Sequence, residues 1–198
     1  REKGHLVNKI TKVNQLGMGG LYRKSIIDEI GCFSNPYLYA YEEYDLGAKI
    51  GKMNYKLIRI PIDMITHFGD VSSAFKTIFG RFKSKYIFGS GQYLRISIVN
   101  GHFLKTFWEL KIYIVTLLMY IIGFILVYLK VIQGINFINL YIWVVVILLV
   151  LVALIKRNMK RFVFSIISWT VQSMGVMIGF FMITKNPRKF VPNVIQIK

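Results

Sequence analysis

The chain has little of what most enzymes rely on: one cysteine, four prolines and nine acidic residues among 198. A lone thiol, Cys32, excludes an internal disulfide and fits a reducing, cytosolic face. As a side chain it reads as a small apolar residue packed in a core. No acid follows Glu109. The apolar back of the chain therefore holds no intramembrane acid or base of the kind that marks an ion path, which argues against a transporter. No basic-then-apolar leader precedes the first polar stretch, and the first residue is Arg1 rather than Met. The expectation is that the sequence begins partway through a longer protein. No nucleic-acid-binding module is recognisable either. The formal net charge of +17 is thus read as cations lining bilayer edges, and no nucleic-acid partner is expected.

Apolar residues are abundant, at 55% of the chain with a mean hydropathy of +0.49, and they are unevenly spread. Three uncharged stretches, 112–129, 135–155 and 162–184, approach or exceed the roughly 20 residues that cross a hydrocarbon core. They divide residues 112–198 into three expected transmembrane helices, with Tyr113, Tyr128, Tyr141, Trp143 and Trp169 near span ends as aromatic belts. The segment from Lys156 to Arg161 is dense in positive charge, whereas the first loop has only Lys130. That bias puts the front half and the second loop in the cytoplasm. Three crossings then place the tail outside, yet Lys185, Arg188, Lys189 and Lys198 oppose that placement. Gly175 and Gly179 form a Gly-xxx-Gly pair suited to close helix contact.

Residues 1–71 are more polar. Residues 1–16 offer few structural cues. A Gly-rich turn, Leu16-Gly17-Met18-Gly19-Gly20, leads to Ser25 as an N-cap, a short helix over 26–30 and Gly31 as its stop. A helix follows over 45–53, then a strand over 55–60 ending at Pro61. This reads as an α/β unit with too few strands for a complete sheet. In residues 72–111, Phe75, Ile78, Phe79, Phe82 and Tyr86 share one helical face, with Lys76, Arg81, Lys83 and Lys85 over the remainder. That is the pattern of a helix lying in the headgroup plane, in contact with membrane lipids. Gly89-Ser90-Gly91 is expected to break it, with a second surface element over 93–107.

Three of the nine acids, Glu42, Glu43 and Asp45, fall within four positions. Like charges this close are costly unless a cation, a metal or a proton-transfer role offsets them. The plainer reading is an acidic helix N-terminus favoured by the helix macrodipole.

Taken in order, Gly17-Met18-Gly19-Gly20-Leu21-Tyr22-Arg23-Lys24-Ser25, Glu29-Ile30-Gly31-Cys32-Phe33, Tyr41-Glu42-Glu43-Tyr44-Asp45-Leu46 and Asn54-Tyr55-Lys56 resemble the C-terminal part of a membrane-bound family 2 glycosyltransferase. The resemblance covers about residues 14–70 and implies the acceptor-side part of a glycosyltransferase-A (GT-A) fold. The implied activity is inverting transfer of a sugar, from a nucleotide-sugar donor to a lipid-linked or polysaccharide acceptor, at the cytoplasmic face of the cell membrane. In that family the acidic motif is usually Glu-Asp and its second member is the base. Glu43 occupies that position here, one methylene longer. Glu42 would orient the acceptor, and Asp45 would cap the helix that follows. Gly19, Gly20, Tyr22 and Arg23 would lie against substrate, and His67 is a candidate metal ligand. The resemblance also implies Mg²⁺ or Mn²⁺, held mainly by an Asp-x-Asp motif in a donor-binding half. These 198 residues contain no Asp-x-Asp, so the segment alone is expected to be inactive. A rival of another class is a non-catalytic membrane subunit whose basic helix binds anionic lipid or a partner enzyme.

Overall fold

The computed structural model describes residues 9–13, 20–62, 73–134 and 137–182. The molecule is mostly helical, with one small sheet and three long apolar helices at the C-terminal end. The front half contains β1 (Thr11–Val13), α1 (Lys24–Ile30), α2 (Glu42–Lys52) and β2 (Leu57–Arg59). The strands pair antiparallel, with Lys12 opposite Ile58 and Val13 opposite Leu57. β1 lies in the stretch whose basic composition offers no cue, and it exists because β2 supplies its hydrogen bonds. Among the described residues the sheet is thus a two-stranded ribbon, too small for a complete sheet, in a mostly helical molecule.

α1 starts one residue before the expected Ser25 cap. Arg23 is the N-cap, no side chain caps the turn, and Gly31 ends the helix at φ 85° as anticipated. Ile30, Leu46, Ile50 and Leu57 form the front-half core, with Val13, Tyr22 and Cys32 packed against it. Cys32 is a free thiol, and it serves this core.

A second layer follows: α3 (Ala74–Lys83), a 3₁₀ turn (Tyr86–Phe88), α4 (Gly89–Asn100) and α5 (Phe103–Glu109). Ser73 caps α3 by accepting from Lys76 N–H at 3.3 Å. Gly89-Ser90-Gly91 opens α4 and does not break a helix, which corrects the sequence expectation. The reason is packing. A Cβ at Gly89 would collide with the Ala40 backbone, and one at Gly91 with the backbone of residues 176–180. The residues after it have a buried face, with Tyr93 0% exposed and Leu94 and Ser97 buried, and an exposed face that carries Val99 and Leu104.

The chain ends in α6 (Lys111–Gln133), α7 (Ile138–Lys156) and α8 (Met159–Phe181). Each is long and apolar enough to cross a membrane by length and composition, which identifies an integral membrane protein. Leu94, Leu110, Ile114 and Val176 form a second core joining α4, α6 and α8. Gly175 and Gly179 do permit close approach, but not to another long helix. A Cβ at Gly175 would sit 2.7 Å from Ile87 O, and one at Gly179 would collide with Phe88 O. The small residues of α8 are therefore a seat for the 3₁₀ turn.

Candidate functional site between the acidic helix and the apolar helices

α2 begins under unusual local control. Tyr41, its N-cap, has φ 69° and ψ 16°, a left-handed conformation that costs a non-glycine residue on the order of 1–3 kcal/mol. Stacking holds it there: its ring lies 5.6 Å from that of Tyr93 at 11°, and 5.1 Å from Tyr44. The loop before it is tied down by Gln92, a buried residue of α4. Gln92 Oε1 accepts from Tyr39 N–H, and Gln92 Nε2 donates to Tyr37 O, both at 3.1 Å. Ala40 meets Gly89 without an intervening side chain. The acidic motif is thus fixed on α4 before α2 starts.

The consequence is that Glu42 and Glu43 line a cavity of about 280 Å³, just under the ~300–1,000 Å³ usual for small-molecule pockets. Tyr41, Tyr44 and Tyr86 supply aromatic wall, while Arg81 from α3 supplies a cation. The floor comes from the apolar helices, through Tyr113 of α6 and Gln172 of α8. The Arg81 guanidinium also lies over the Tyr86 ring at 5.3 Å. Two carboxylates, one guanidinium, one amide and several phenol rings can together hold a polyhydroxylated or phosphorylated molecule and accept a proton from it.

Asp45 does not join them. It is 1% exposed and points into the protein, where Lys49 Nζ donates to its Oδ2 at 2.6 Å. Its other oxygen is buried with no hydrogen-bond partner among the described residues. Nor does it cap α2, which begins three residues earlier. The capping role expected of Asp45 is thus corrected: it is the fourth residue of the helix and is not among the residues that line the cavity. Near it, Tyr93 has its pKa pushed up to about 12, first by burial, against a lowering influence from Thr106. His102, 5.7 Å from the Tyr93 ring, has its pKa lowered by burial, with the Asp45 charge pulling the other way. His102 Nε2 is also buried without a partner among the described residues.

Tyr22 packs on the front-half core, and its pKa is raised first by burial and then by the charge of Glu43. That brings it into the electrostatic neighbourhood of the acid pair. Arg23 and Gly20 are exposed and outside the cavity lining. Gly19 and His67 lie outside the described residues. Among the described residues no three His, Cys, Asp or Glu side chains gather as a metal-binding group, so those present do not by themselves form the expected metal site. Sequence reading assigned Arg81, Tyr86 and Tyr113 to membrane contact and passed over Gln92 and Gln172. Gln172, the one amide in the expected span 162–184, was the signal available.

No protein-family model matches the chain, nor does any curated protein or solved structure.

Proposed function

We propose that the chain is the acceptor-side half and membrane anchor of an inverting glycosyltransferase acting at the cytoplasmic face of a membrane. The supporting observation is the cavity that joins Glu42 and Glu43 to Arg81, Tyr86, Tyr113 and Gln172. It sets the acid pair against helices that carry the exposed aromatic surface, where a lipid-linked or polysaccharide acceptor would arrive. In this reading Glu43 takes the proton from the acceptor hydroxyl as its oxygen bonds to the anomeric carbon, and the nucleoside diphosphate leaves with the electron pair of the broken bond. Glu42 orients the acceptor, and the tyrosine rings present flat apolar faces to sugar. The nucleotide-sugar and its divalent cation belong to a donor-binding half carrying Asp-x-Asp.

The test is Glu43→Gln in the natural gene product that includes this segment, assayed in membranes for transfer of radiolabelled sugar to lipid or glycan. Loss of a positioned general base lowers the rate by roughly 10²–10⁴-fold. Wild-type transfer by that variant removes Glu43 as the base.

A second reading, a non-catalytic subunit that binds anionic lipid, is favoured by one observation. The aromatic stripe of α3 is exposed, Phe79 by 56%, and Lys76, Arg81 and Lys83 are exposed around it. A gene product that reads no Asp-x-Asp upstream of this segment would support that subunit.

A further inference from the structure

We infer that α8 does not cross the membrane but lies along its surface, so that α6 and α7 form the only transmembrane hairpin among the described helices. The contacts along α8 carry this. Near its start, the Phe164 ring meets Phe75 of α3 edge-on at 5.3 Å. Further along, Gly175 seats Ile87 and Gly179 seats Phe88. At its end, Arg95 of α4 donates to Met182 O at 3.0 Å. Residues 75–95 thus run beside α8 from Phe164 to Met182, a length of about 27 Å at 1.5 Å per residue. That nearly equals the hydrocarbon thickness of roughly 30 Å. Were α8 a span, Arg81, Lys83, Lys85 and Arg95 would have to follow it down through lipid, which excludes such charges.

The flanking segment is also anchored to the front half at both ends of α4. Gly89 abuts Ala40, and Lys52 Nζ donates to Asn100 O at 3.5 Å. Gln172, midway along α8, shares the cavity with Glu42 and Glu43. Against α6, Ser173 Oγ donates to Tyr113 O at 2.8 Å near the entry of that helix, and Thr170 meets Tyr120 at 2.7 Å about 10 Å further along it. The C-terminal half of α8 is therefore held close to the front half.

Its own side chains agree. Met159, Val163, Met174, Met177, Ile178 and Phe181 are exposed, and at ~100° per residue they fall in one stripe about 100° wide. Ser165, Gly175, Val176 and Gly179 are buried on the opposite side, and Ser173 is buried on the flank that meets α6. One apolar stripe with a protein-covered back suits a helix resting on the acyl boundary. α7, by contrast, has no buried residue. The arrangement also removes the charge conflict. With two crossings, Lys111 and the 156–161 cations share the side of the front half, and the segment that carries Lys185, Arg188, Lys189 and Lys198 leaves α8 on that side. Among the described residues from Lys111 onward, Lys130 is then the one cation on the hairpin side.

The test is labelling of single reporter cysteines by a membrane-impermeant maleimide. Three variants are made in a Cys32→Ser background: Lys24→Cys in the front half, Gln133→Cys at the hairpin end of α6, and Lys189→Cys after α8. Sealed vesicles of each orientation are compared with detergent-solubilised protein, which sets full labelling. The expected result is that positions 24 and 189 react in the same vesicle orientation, while position 133 drops to background there and reacts only in the other. If position 189 reacts together with 133, α8 crosses and the inference fails. If all three react together, no hairpin crosses and it fails equally. The readout needs no transfer activity, so it stands or falls apart from the glycosyltransferase reading.

Discussion

Asp45 and Lys49 are one helical turn apart, and the carboxylate is almost fully buried while the amine is a quarter exposed. Removing the amine alone strands a charge in the protein. Lys49→Met should therefore destabilise by roughly 3 kcal/mol, whereas Asp45→Asn with Lys49→Met should recover much of that loss. Thermal unfolding in detergent compares the two. His102 gives a pH signature. Its folded pKa lies below the ordinary 6.5 because burial disfavours the cation. Below about pH 6.5 the unfolded chain binds a proton that the folded chain does not, so stability falls as pH drops from 7 toward the folded pKa. Asp45, Lys52 and Lys105 surround it and His102→Phe removes only the imidazole, so the variant's unfolding temperature should fall less between pH 7 and 5. An equal fall in both proteins would assign the effect elsewhere. The Glu42–Glu43 pair was legible because three acids crowd a basic chain. What composition could not say is which of the three faces a cavity. That depends on the register of α2, set by the left-handed Tyr41.

At the scale of elements, glycine was the residue most easily misread. Gly89-Ser90-Gly91 resembles a breaker because glycine weakens helices by about 1 kcal/mol each relative to alanine. Here that cost is offset by backbone contacts that no larger residue allows. Gly179→Leu should push the 3₁₀ turn off α8. We expect a loss at or above the upper end of the roughly 1–3 kcal/mol usual for overpacking, seen as a lower unfolding temperature in detergent. Gly80→Ala, where a Cβ meets nothing within 4 Å, should be neutral or slightly stabilising. The long apolar helices, in contrast, were plain in the sequence: expected spans 112–129, 135–155 and 162–184 correspond to α6, α7 and α8 within a few residues. Length and hydropathy report that a helix can enter lipid. They do not report what packs along its side, and for α8 that neighbour is the decisive fact.

For the molecule as a whole, the exposed aromatic stripe of α3 and its flanking cations predict protection by lipid. Trypsin should cut after Arg81, Lys83 and Lys85 readily in detergent and much more slowly in nanodiscs of anionic lipid. Raising salt to ~1 M, where the screening length is about 3 Å, should restore part of the cleavage. Mass mapping of the fragments checks this, and equal cleavage in both media would mean that this face does not meet headgroups.

The amide of Gln92 has a consequence for regulation. The acid pair hangs from α4 through that clamp, and α4 rests on α8, whose opposite side is an exposed apolar stripe. If that stripe meets acyl chains as inferred above, changes in bilayer thickness or lateral pressure reach the carboxylates through these packed contacts. On the proposed function, acceptor binding should be strongest in the lipid mixture that leaves Tyr41 stacked, and should weaken on extraction into detergent.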